Sequence, residues 1–343
     1  MEFGVYSLGE LLDQQTIGQA ERIQDLLELA QYADEVGIDL FGLGEHHRLD
    51  YVSSSPQILL AHIGATTKKI KLTALTSLLG TTDPIRLYED FATLDVLTKG
   101  RAEITVGRGA FNESFHLFGY DEEKYDNLFQ EHLQILLKAN QQDRISWKGD
   151  LYHTLTNAEV SPRAYQTKLP IHIGVSGTLE SAIRAAKKDC GIAVIMLGGT
   201  VKRYKRLIDA YYENASLDKQ FVSIAAHTFI RETEAEIEQE FYPLYATYWK
   251  HLSENGIGGP IGLARTDLDF VTSKESTLLV GTPTQIVEKL RYQYSLFNQD
   301  RMLLQVDFGG QSIQEMKKTV QLLANQVIPM FRNYLRNGGQ ADA

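Results

Sequence analysis

The feature that most constrains the fold of this chain is a regular alternation of two kinds of segment. Short apolar runs rich in β-branched residues alternate with longer segments whose apolar residues recur at helical spacing. This alternation is typical of parallel β/α units. The predicted strands are Phe3–Tyr6, Leu40–Gly44, Lys71–Leu79, Ala102–Val106, Ile171–Val175, Ala193–Leu197, Ser223–Ile230 and Met302–Phe308. The predicted helices are Ile17–Val36, Pro56–Thr66, Pro84–Leu97, Glu122–Asn140, Leu179–Lys188, Val201–Ala215, Thr233–Leu252, Thr284–Phe297 and Ile313–Phe331.

Eight strands, each followed by a helix, are the number that closes a (β/α)8 barrel. We therefore predict an α/β fold, a TIM barrel that occupies residues 1–343 as a single domain. Two segments interrupt the alternation. The aromatic-rich residues 144–162 predict a β-hairpin insertion. Residues 253–279 are glycine-rich and too long for an ordinary connection, so they are a candidate lid over the site.

Charge and composition argue against several classes of protein. The 343 residues include 34 Lys+Arg and 44 Asp+Glu, a net charge of −10, whereas a nucleic-acid-binding face is basic. The single cysteine, Cys190, excludes an internal disulfide and a cysteine-rich metal site. No run reaches ~18 apolar residues, and the first ten residues are acidic where a signal peptide is basic and then apolar. We expect a cytoplasmic protein that binds neither nucleic acid nor membrane.

A group of titratable residues follows the second predicted strand, at the end of the barrel where active sites of this fold lie. Glu45, His46 and His47 place a carboxylate beside two imidazoles, which can transfer protons near neutral pH. The alternative is that they only hydrogen-bond to neighbouring loops. Metal binding with His172 and His227 is disfavoured, because adjacent histidines at a strand end point to different sides and no H-x-H or H-E-x-x-H spacing is present. We therefore predict no metal.

Glycine, hydroxyl and arginine residues follow the fourth, fifth and sixth predicted strands. Glycines let a backbone approach a ligand closely, a guanidinium can bind an oxyanion, and a helix N-terminus with hydroxyls favours a phosphate. A tight turn and ordinary helix caps remain open alternatives, but two such helix starts in succession favour a phosphate site. G-x-G-x-x-G and G-x-x-x-x-G-K-[ST] loops are absent. The residues concerned are Arg108, Ser176, Gly177, Thr178, Ser181, Gly198 and Gly199.

Long stretches of the chain resemble the bacterial luciferase-like, flavin-dependent monooxygenases. They include FGLGEHHRLDY, DPIRLYEDFATLDVLTKGR with the following VGRGAF and FHLFG, VSGTLESAIRAAKKDCG and GTPTQIVEKL. The resemblance spans nearly the whole chain and implies a (β/α)8 barrel. It also implies FMN, bound in reduced form as a co-substrate, molecular oxygen, and a separate NAD(P)H:flavin reductase. The expected activity is oxygenation of a small organic substrate.

The resemblance also assigns roles to individual residues. It implies that His46, beside Glu45, is the acid/base near the reacting edge of the flavin and that Arg108 contacts the phosphate or flavin. It implies that the backbone after the third strand lies against the isoalloxazine face, often through a non-proline cis peptide. The residues at this face are Leu75, Thr76 and Ser77, and those at the phosphate are Ser176, Gly177, Thr178 and Ser181, with Gly198 and Gly199 helping.

Two departures and three alternatives qualify this assignment. Gly107 stands where luciferase alpha chains have a reactive cysteine, and Val175 where they have a glutamate, which argues against aldehyde oxidation with light emission. The alternatives are deazaflavin-dependent hydride transfer on the same fold, a catalytically silent flavin-binding subunit, and a metal hydrolase. The family also implies a homodimer through the second and third helices. Apolar residues there exceed what the barrel needs: Ile58, Leu59, Leu60, Ile63, Leu87, Phe91, Leu94 and Leu97.

Overall fold

A computed structural model describes residues 1–12, 17–109, 111–196, 198–254 and 268–338 of the chain. The strands are β1 (Glu2–Ser7), β2 (Leu40–Leu43), β3 (Lys71–Ala74), β4 (Ser77–Leu78), β5 (Ala102–Gly107), β6 (Arg144–Trp147), β7 (Leu155–Glu159), β8 (Ile171–Val175), β9 (Gly191–Met196), β10 (Val222–Ile230), β11 (Leu279–Gly281) and β12 (Arg301–Gln305). The α-helices are α1 (Gln19–Glu35), α2 (Pro56–Thr66), α3 (Pro84–Thr98), α4 (Glu113–Phe118), α5 (Tyr125–Gln141), α6 (Leu179–Ala186), α7 (Lys205–Asn214), α8 (Glu234–Glu254), α9 (Leu268–Thr272), α10 (Pro283–Phe297), α11 (Ile313–Leu322) and α12 (Ile328–Arg336).

Eight parallel strands close into a barrel in the order β1, β2, β3, β5, β8, β9, β10, β12 and back to β1. Closure pairs Val5 of β1 with Phe41 on one side and with Leu304 of β12 on the other. The strands are almost fully buried, since helices cover one face and the barrel interior fills the other. This burial explains the continuous apolar sequence of β9. The predicted (β/α)8 barrel is confirmed.

Six predicted strands agree with the observed ones within two residues at each end, and two differ by more. The predicted third strand is divided into β3 and β4, and the peptide bond between Leu75 and Thr76 in the interval is a non-proline cis bond. The predicted eighth strand ends at Gln305 instead of Phe308. The reason is that Asp307 turns to accept hydrogen bonds from the Ser7 hydroxyl and the Leu8 amide, at 2.5 and 3.0 Å.

The two predicted insertions have different outcomes. In residues 144–162, β6 and β7 form the expected antiparallel hairpin. Of the candidate lid, residues 255–267 lie outside the described residues. Its described remainder contains α9 and ends at the first residue of β11, a strand that pairs with the end of β10. In the part of the chain that is described, no helix is long and apolar enough to span a bilayer.

Helices α2 and α3 bury most of the apolar residues that the sequence assigned to a subunit contact. Leu60, Ile63, Leu87, Phe91 and Leu94 are all 2% exposed or less, because they pack onto the barrel. The expectation that these residues are surplus to the barrel is therefore wrong. The exposed apolar side chains of the two helices are Ile58, Val96 and Leu97, at 72%, 45% and 65%.

Candidate active site

A cavity of about 310 Å³ opens at the carboxyl ends of the barrel strands. This is where the fold places active sites, because the loops that follow the strands converge there. Nine of the twelve predicted site residues line it. They are Glu45, His46, Leu75, Thr76, Arg108, Ser176, Gly177, Thr178 and Ser181. Sequence positions more than 100 residues apart thus meet at one site, while Ser77, Gly198 and Gly199 do not line it.

His46 lies in an aromatic wall of the cavity. Its ring stacks on Tyr51, with centroids 4.3 Å apart, and meets the edge of Phe111 at 5.4 Å. Its backbone amide donates to the Ser53 carbonyl at 3.1 Å, which folds the loop after β2 back on itself. Burial lowers the pKa of His46 to about 4. The imidazole is therefore neutral at pH 7 and offers one donor and one acceptor nitrogen.

Glu45 and His47 organise the loop that carries His46. One oxygen of Glu45 accepts from the Leu78 amide at 3.1 Å, and the other lies 3.1 Å from His47 Nε2. His47 turns away from the cavity and packs edge-on against Phe118, at 4.9 Å between centroids. The two neighbouring histidines therefore have different surroundings, and Glu45 links the ends of β2 and β4.

Hydroxyl and cationic groups gather at one end of the cavity, around the start of α6. Thr178 caps this helix without a side-chain hydrogen bond to it, so the amides of the first turn remain open to a ligand. Ser181 Oγ donates to the Thr178 carbonyl at 2.7 Å. Arg108 lies 4.7 Å over the Tyr125 ring and 3.0 Å from Asp126. We call this region the anion end; its residues are Arg108, Ser176, Gly177, Thr178, Ser181 and Arg184.

Thr76 forms part of the cavity wall because two glycines make room for it. A Cβ atom at Gly174 would lie 2.9 Å from Thr76 Cγ2, and one at Gly107 would overlap Thr76 Oγ1. This contact gives a physical reason for glycine at position 107, where the resemblance expects cysteine. Ser77 is buried, and its hydroxyl has no hydrogen-bond partner within the described part of the chain.

The glycine pair after β9 faces a different neighbour. The Gly199 carbonyl accepts from the amide and the hydroxyl of Thr277, at 3.1 and 3.3 Å, and Thr200 pairs with Ser276. Gly198 and Gly199 therefore join β9 to the segment before β11. Their contact with a cofactor remains a prediction.

Several residues that line the cavity were missed by the sequence reasoning. Gln305 is the last residue of β12 and Tyr6 the last but one of β1, so the rule that led to Glu45 could have found them. Arg184 and Tyr248 lie inside helices, where an arginine or a tyrosine gives no local signal. We call the aromatic part of the cavity the ring end; its residues are Tyr6, His46, Tyr51, Phe111 and Tyr248.

Comparison with known sequences identifies relatives over much of the chain. The model of the family described as luciferase-like monooxygenase matches residues 1–299. N-acetyl-S-alkylcysteine monooxygenase of Bacillus subtilis (strain 168) is 30% identical over 242 residues, 67% of this chain and 69% of that protein. The oxygenase component of flavin-dependent trigonelline monooxygenase of Acinetobacter baylyi is 21% identical over 356 residues, 96% of each chain. An uncharacterized protein of Sinorhizobium fredii is 29% identical over 218 residues, 63% of this chain but only 62% of that relative.

Solved structures share the fold. Monooxygenase RslO1 from Streptomyces bottropensis has a TM-score of 0.86 at 21% identity, covering 96% of this chain and 100% of that one. A second structure is the oxygenating constituent of 3,6-diketocamphane monooxygenase from Pseudomonas putida, in complex with FMN. Its TM-score is 0.76 at 18% identity, and the match covers 96% of this chain and 98% of that one. An F420-dependent secondary alcohol dehydrogenase has a TM-score of 0.74 at 15% identity, and the match covers 96% of this chain and 99% of that one. At these sequence identities the structural similarity establishes the fold alone.

Proposed function

This chain belongs to the luciferase-like monooxygenases, the family whose model matches residues 1–299, and on that premise we propose that it is the oxygenase of a two-component flavin system. In the proposed reaction, reduced FMN supplies two electrons, one atom of O2 enters a small organic substrate, and the other leaves as water. The observation that carries the proposal is the division of one cavity into an anion end and a ring end.

The anion end fits the phosphate of FMN. Two guanidinium groups, Arg108 and Arg184, and the hydroxyls of Ser176 and Thr178 provide charge and hydrogen-bond donors, and the open amides of α6 add a favourable helix dipole. Arg108 would exchange its ion pair with Asp126 for the phosphate. The wall at Leu75 and Thr76 is suited to a flat ring, because the backbone of these two residues can lie closely against such a ring.

His46 is the proposed proton carrier of the site. A neutral imidazole at pH 7 accepts a proton at one nitrogen and donates at the other, which suits it to hold or move a proton beside the flavin. Glu45 acts as a positioning residue in this proposal. Its bonds to Leu78 and His47 hold the loop and leave His46 facing the cavity.

The proposal includes two partners. A separate NAD(P)H:flavin reductase delivers reduced FMN, as the words "oxygenase component" in the name of the Acinetobacter baylyi relative imply for that protein. A second copy of this chain packs on α2 and α3, where Ile58 and Leu97 are 72% and 65% exposed. Sedimentation at micromolar concentration is expected to give a dimer, and Ile58→Lys a monomer.

Anaerobic titration with photoreduced FMN, oxidised FMN and F420 tests the cofactor. Reduced FMN should bind most tightly, and the bound form should release hydrogen peroxide more slowly than free reduced FMN when O2 is admitted. The matched variants are Arg184→Ala, which should weaken FMN binding, and Arg332→Ala, which should not, because Arg332 bonds Asp39 and does not line the cavity. Tighter binding of F420 would overturn the proposal in favour of hydride transfer.

A further inference from the structure

The ring end of the cavity is lined by aromatic side chains, whereas the anion end is lined by guanidinium and hydroxyl groups. Its side chains come from β1, the loop after β2, the residues after β5, and α8, whereas the anion end is built on β5, β8 and α6. We propose, on the premise of the proposed function, that the substrate bound there is an uncharged molecule with a flat, apolar ring system and one hydrogen-bonding group.

The arrangement of rings supports a flat ligand. His46 stacks on Tyr51 at an interplanar angle of 30°, and Phe111 meets both rings, at 5.4 and 6.1 Å, with angles of 80° and 62°. These three rings form a continuous wall, and aromatic pairs prefer such stacked and edge-on geometries. A planar substrate can continue the pattern, and a saturated ring of the same size lacks the π-face that the wall matches.

The titratable groups of the wall are uncharged at neutral pH. Burial raises the pKa of the phenols of Tyr6, Tyr51 and Tyr248, and lowers that of His46 to about 4. Tyr248 also engages His227, with its hydroxyl 3.3 Å from Nε2. A charged substrate would therefore gain no opposite charge from these four side chains, and burying an unpaired charge is costly.

Two charged groups near the ring end, Arg48 and Asp307, are engaged by other groups of the chain. Arg48 lies 4.6 Å over the Phe111 ring but does not line the cavity, and it forms bonds of 3.0 Å to both oxygens of Asp50. Asp307, behind β1, accepts from the amides of Leu8 and Gly9, each at 3.0 Å. Among the described residues that line the cavity, the lysines and arginines are confined to the anion end.

Gln305 supplies the hydrogen-bonding group of the site. It lines the cavity at 1% exposure, and its Nε2 lies 3.4 Å from Glu10 Oε1. Glu10 is held in turn by the Gly309 amide at 2.9 Å, so the amide group of Gln305 is fixed from behind. A fixed amide at the end of an apolar pocket orients a ligand through one carbonyl or hydroxyl group.

A series of four probes tests the proposal in protein loaded with reduced FMN under anaerobic conditions. The probes are 2-naphthol, naphthalene-2-sulfonate, N-methylquinolinium and the saturated alcohol 2-decalol, and calorimetry measures their dissociation constants. We expect 2-naphthol to bind at least ~10-fold more tightly than each of the other three. Tightest binding by the sulfonate or the quinolinium ion, equal binding by decalol, or no binding by any probe would overturn the substrate class.

Variants test whether the aromatic wall causes the preference for 2-naphthol. Phe111→Leu and, independently, Tyr51→Leu should reduce the preference for 2-naphthol over decalol at least threefold without changing FMN affinity. Gln305→Leu should bring 2-naphthol and naphthalene to the same affinity. Phe118→Leu is the control, because Phe118 is 49% exposed and packs on His47 outside the cavity. Failure to bind FMN at all would refute the proposed function, whereas normal FMN binding with the wrong probe order refutes the substrate class alone.

Discussion

The two ends of the barrel use the same kinds of residue for opposite purposes. At the amino ends of the strands, Arg301 bonds Glu103 at 2.8 Å and Glu2 at 2.6 Å, and Lys71 lies 2.7 Å from Glu2. His172 Nε2 approaches Glu103 within 3.3 Å. Burial alone would raise the pKa of Glu103, but the adjacent imidazole of His172 and the charge of Arg301 hold it well below its usual range.

At the carboxyl ends, comparable groups face a cavity. His46 is buried like His172 but stacks on the neutral ring of Tyr51, and Arg108 pairs with an exposed carboxylate, that of Asp126. The contrast teaches that residue type does not reveal role in this fold. The position of a residue along its strand indicates its role. At one end of the barrel the charged groups pair with each other, and the other end remains open to ligands.

The largest expected effect is on catalysis at the open end. Replacing His46 by alanine should reduce product formation from reduced FMN, O2 and a neutral ring substrate by ~10²–10⁴, the contribution of a positioned proton carrier. FMN affinity should stay within about twofold. Rapid-quench product assays and anaerobic titration provide the two measurements.

The matched control for this variant is His172→Ala, which should lower the thermal midpoint and leave turnover of the folded protein unchanged. A stable His46→Ala protein with full turnover would remove His46 from the mechanism and erase the distinction between the two ends.

The next effect concerns the closed end. Arg301→Leu removes the guanidinium that bonds both oxygens of the buried Glu103. Breaking a buried ion pair in this way costs about 3–5 kcal/mol of unfolding free energy. Urea titration measures the loss. Lys205→Ala, which removes an exposed pair with Asp209, should cost ~0–0.5 kcal/mol. Similar losses in the two variants would show that the buried network contributes no more than a surface pair.

A smaller effect is expected at the anion end. Arg108→Ala should weaken FMN binding by ~1.5–3 kcal/mol, the range for a charge-assisted hydrogen bond, and should leave the thermal midpoint unchanged. Fluorescence titration under anaerobic conditions measures the dissociation constant. An unaltered dissociation constant would mean that Arg108 remains paired with Asp126 and that, of the two arginines, Arg184 alone binds the phosphate.

The smallest expected effect is a pH dependence of folding stability that arises from His46 at the open end. The pKa of His46 is about 4 in the folded protein and 6.5 ordinarily, so the unfolded chain binds a proton that the folded protein does not. This contribution to stability is complete above pH 6.5 and is lost as pH falls toward 4. His46→Gln should therefore lose less stability than the parent between pH 7 and 5, by on the order of 1 kcal/mol. His227 is retained in both proteins, so its own titration cancels in the comparison, and identical pH profiles would contradict the neutral state of His46.

The sequence predicted the barrel because its strands carry their own signal. The run of β9 is buried on both faces, so nearly every residue in it is apolar. The division of the third strand was not predictable from that signal, since Leu75 and Thr76 are as suitable for a strand as their neighbours. The same is true of the early end of β12, which depends on Asp307 bonding to residues about 300 positions away.

The site was predictable where a strand end and a polar residue coincide. Glu45 and His46 satisfy that rule, and the hydroxyls before α6 satisfy the rule for helix starts. Glycine content alone did not distinguish Gly177, which lines the cavity, from Gly199, whose carbonyl bonds Thr277. Tyr248 reaches the cavity from the middle of α8, and only the packing of that helix over the barrel brings it there.

Closure of the barrel has a consequence for synthesis of the protein. β1 pairs with β12, and the ion pair between Glu2 and Arg301 joins positions 299 residues apart. At ~5–20 residues per second, a ribosome needs roughly 15–60 s to make the second partner after the first. Throughout that interval one edge of β1 has unpaired amides and carbonyls beside the apolar side chains of Phe3 and Val5. The speed of translation, and not the stability of the finished barrel, therefore sets how long the nascent chain is exposed to aggregation.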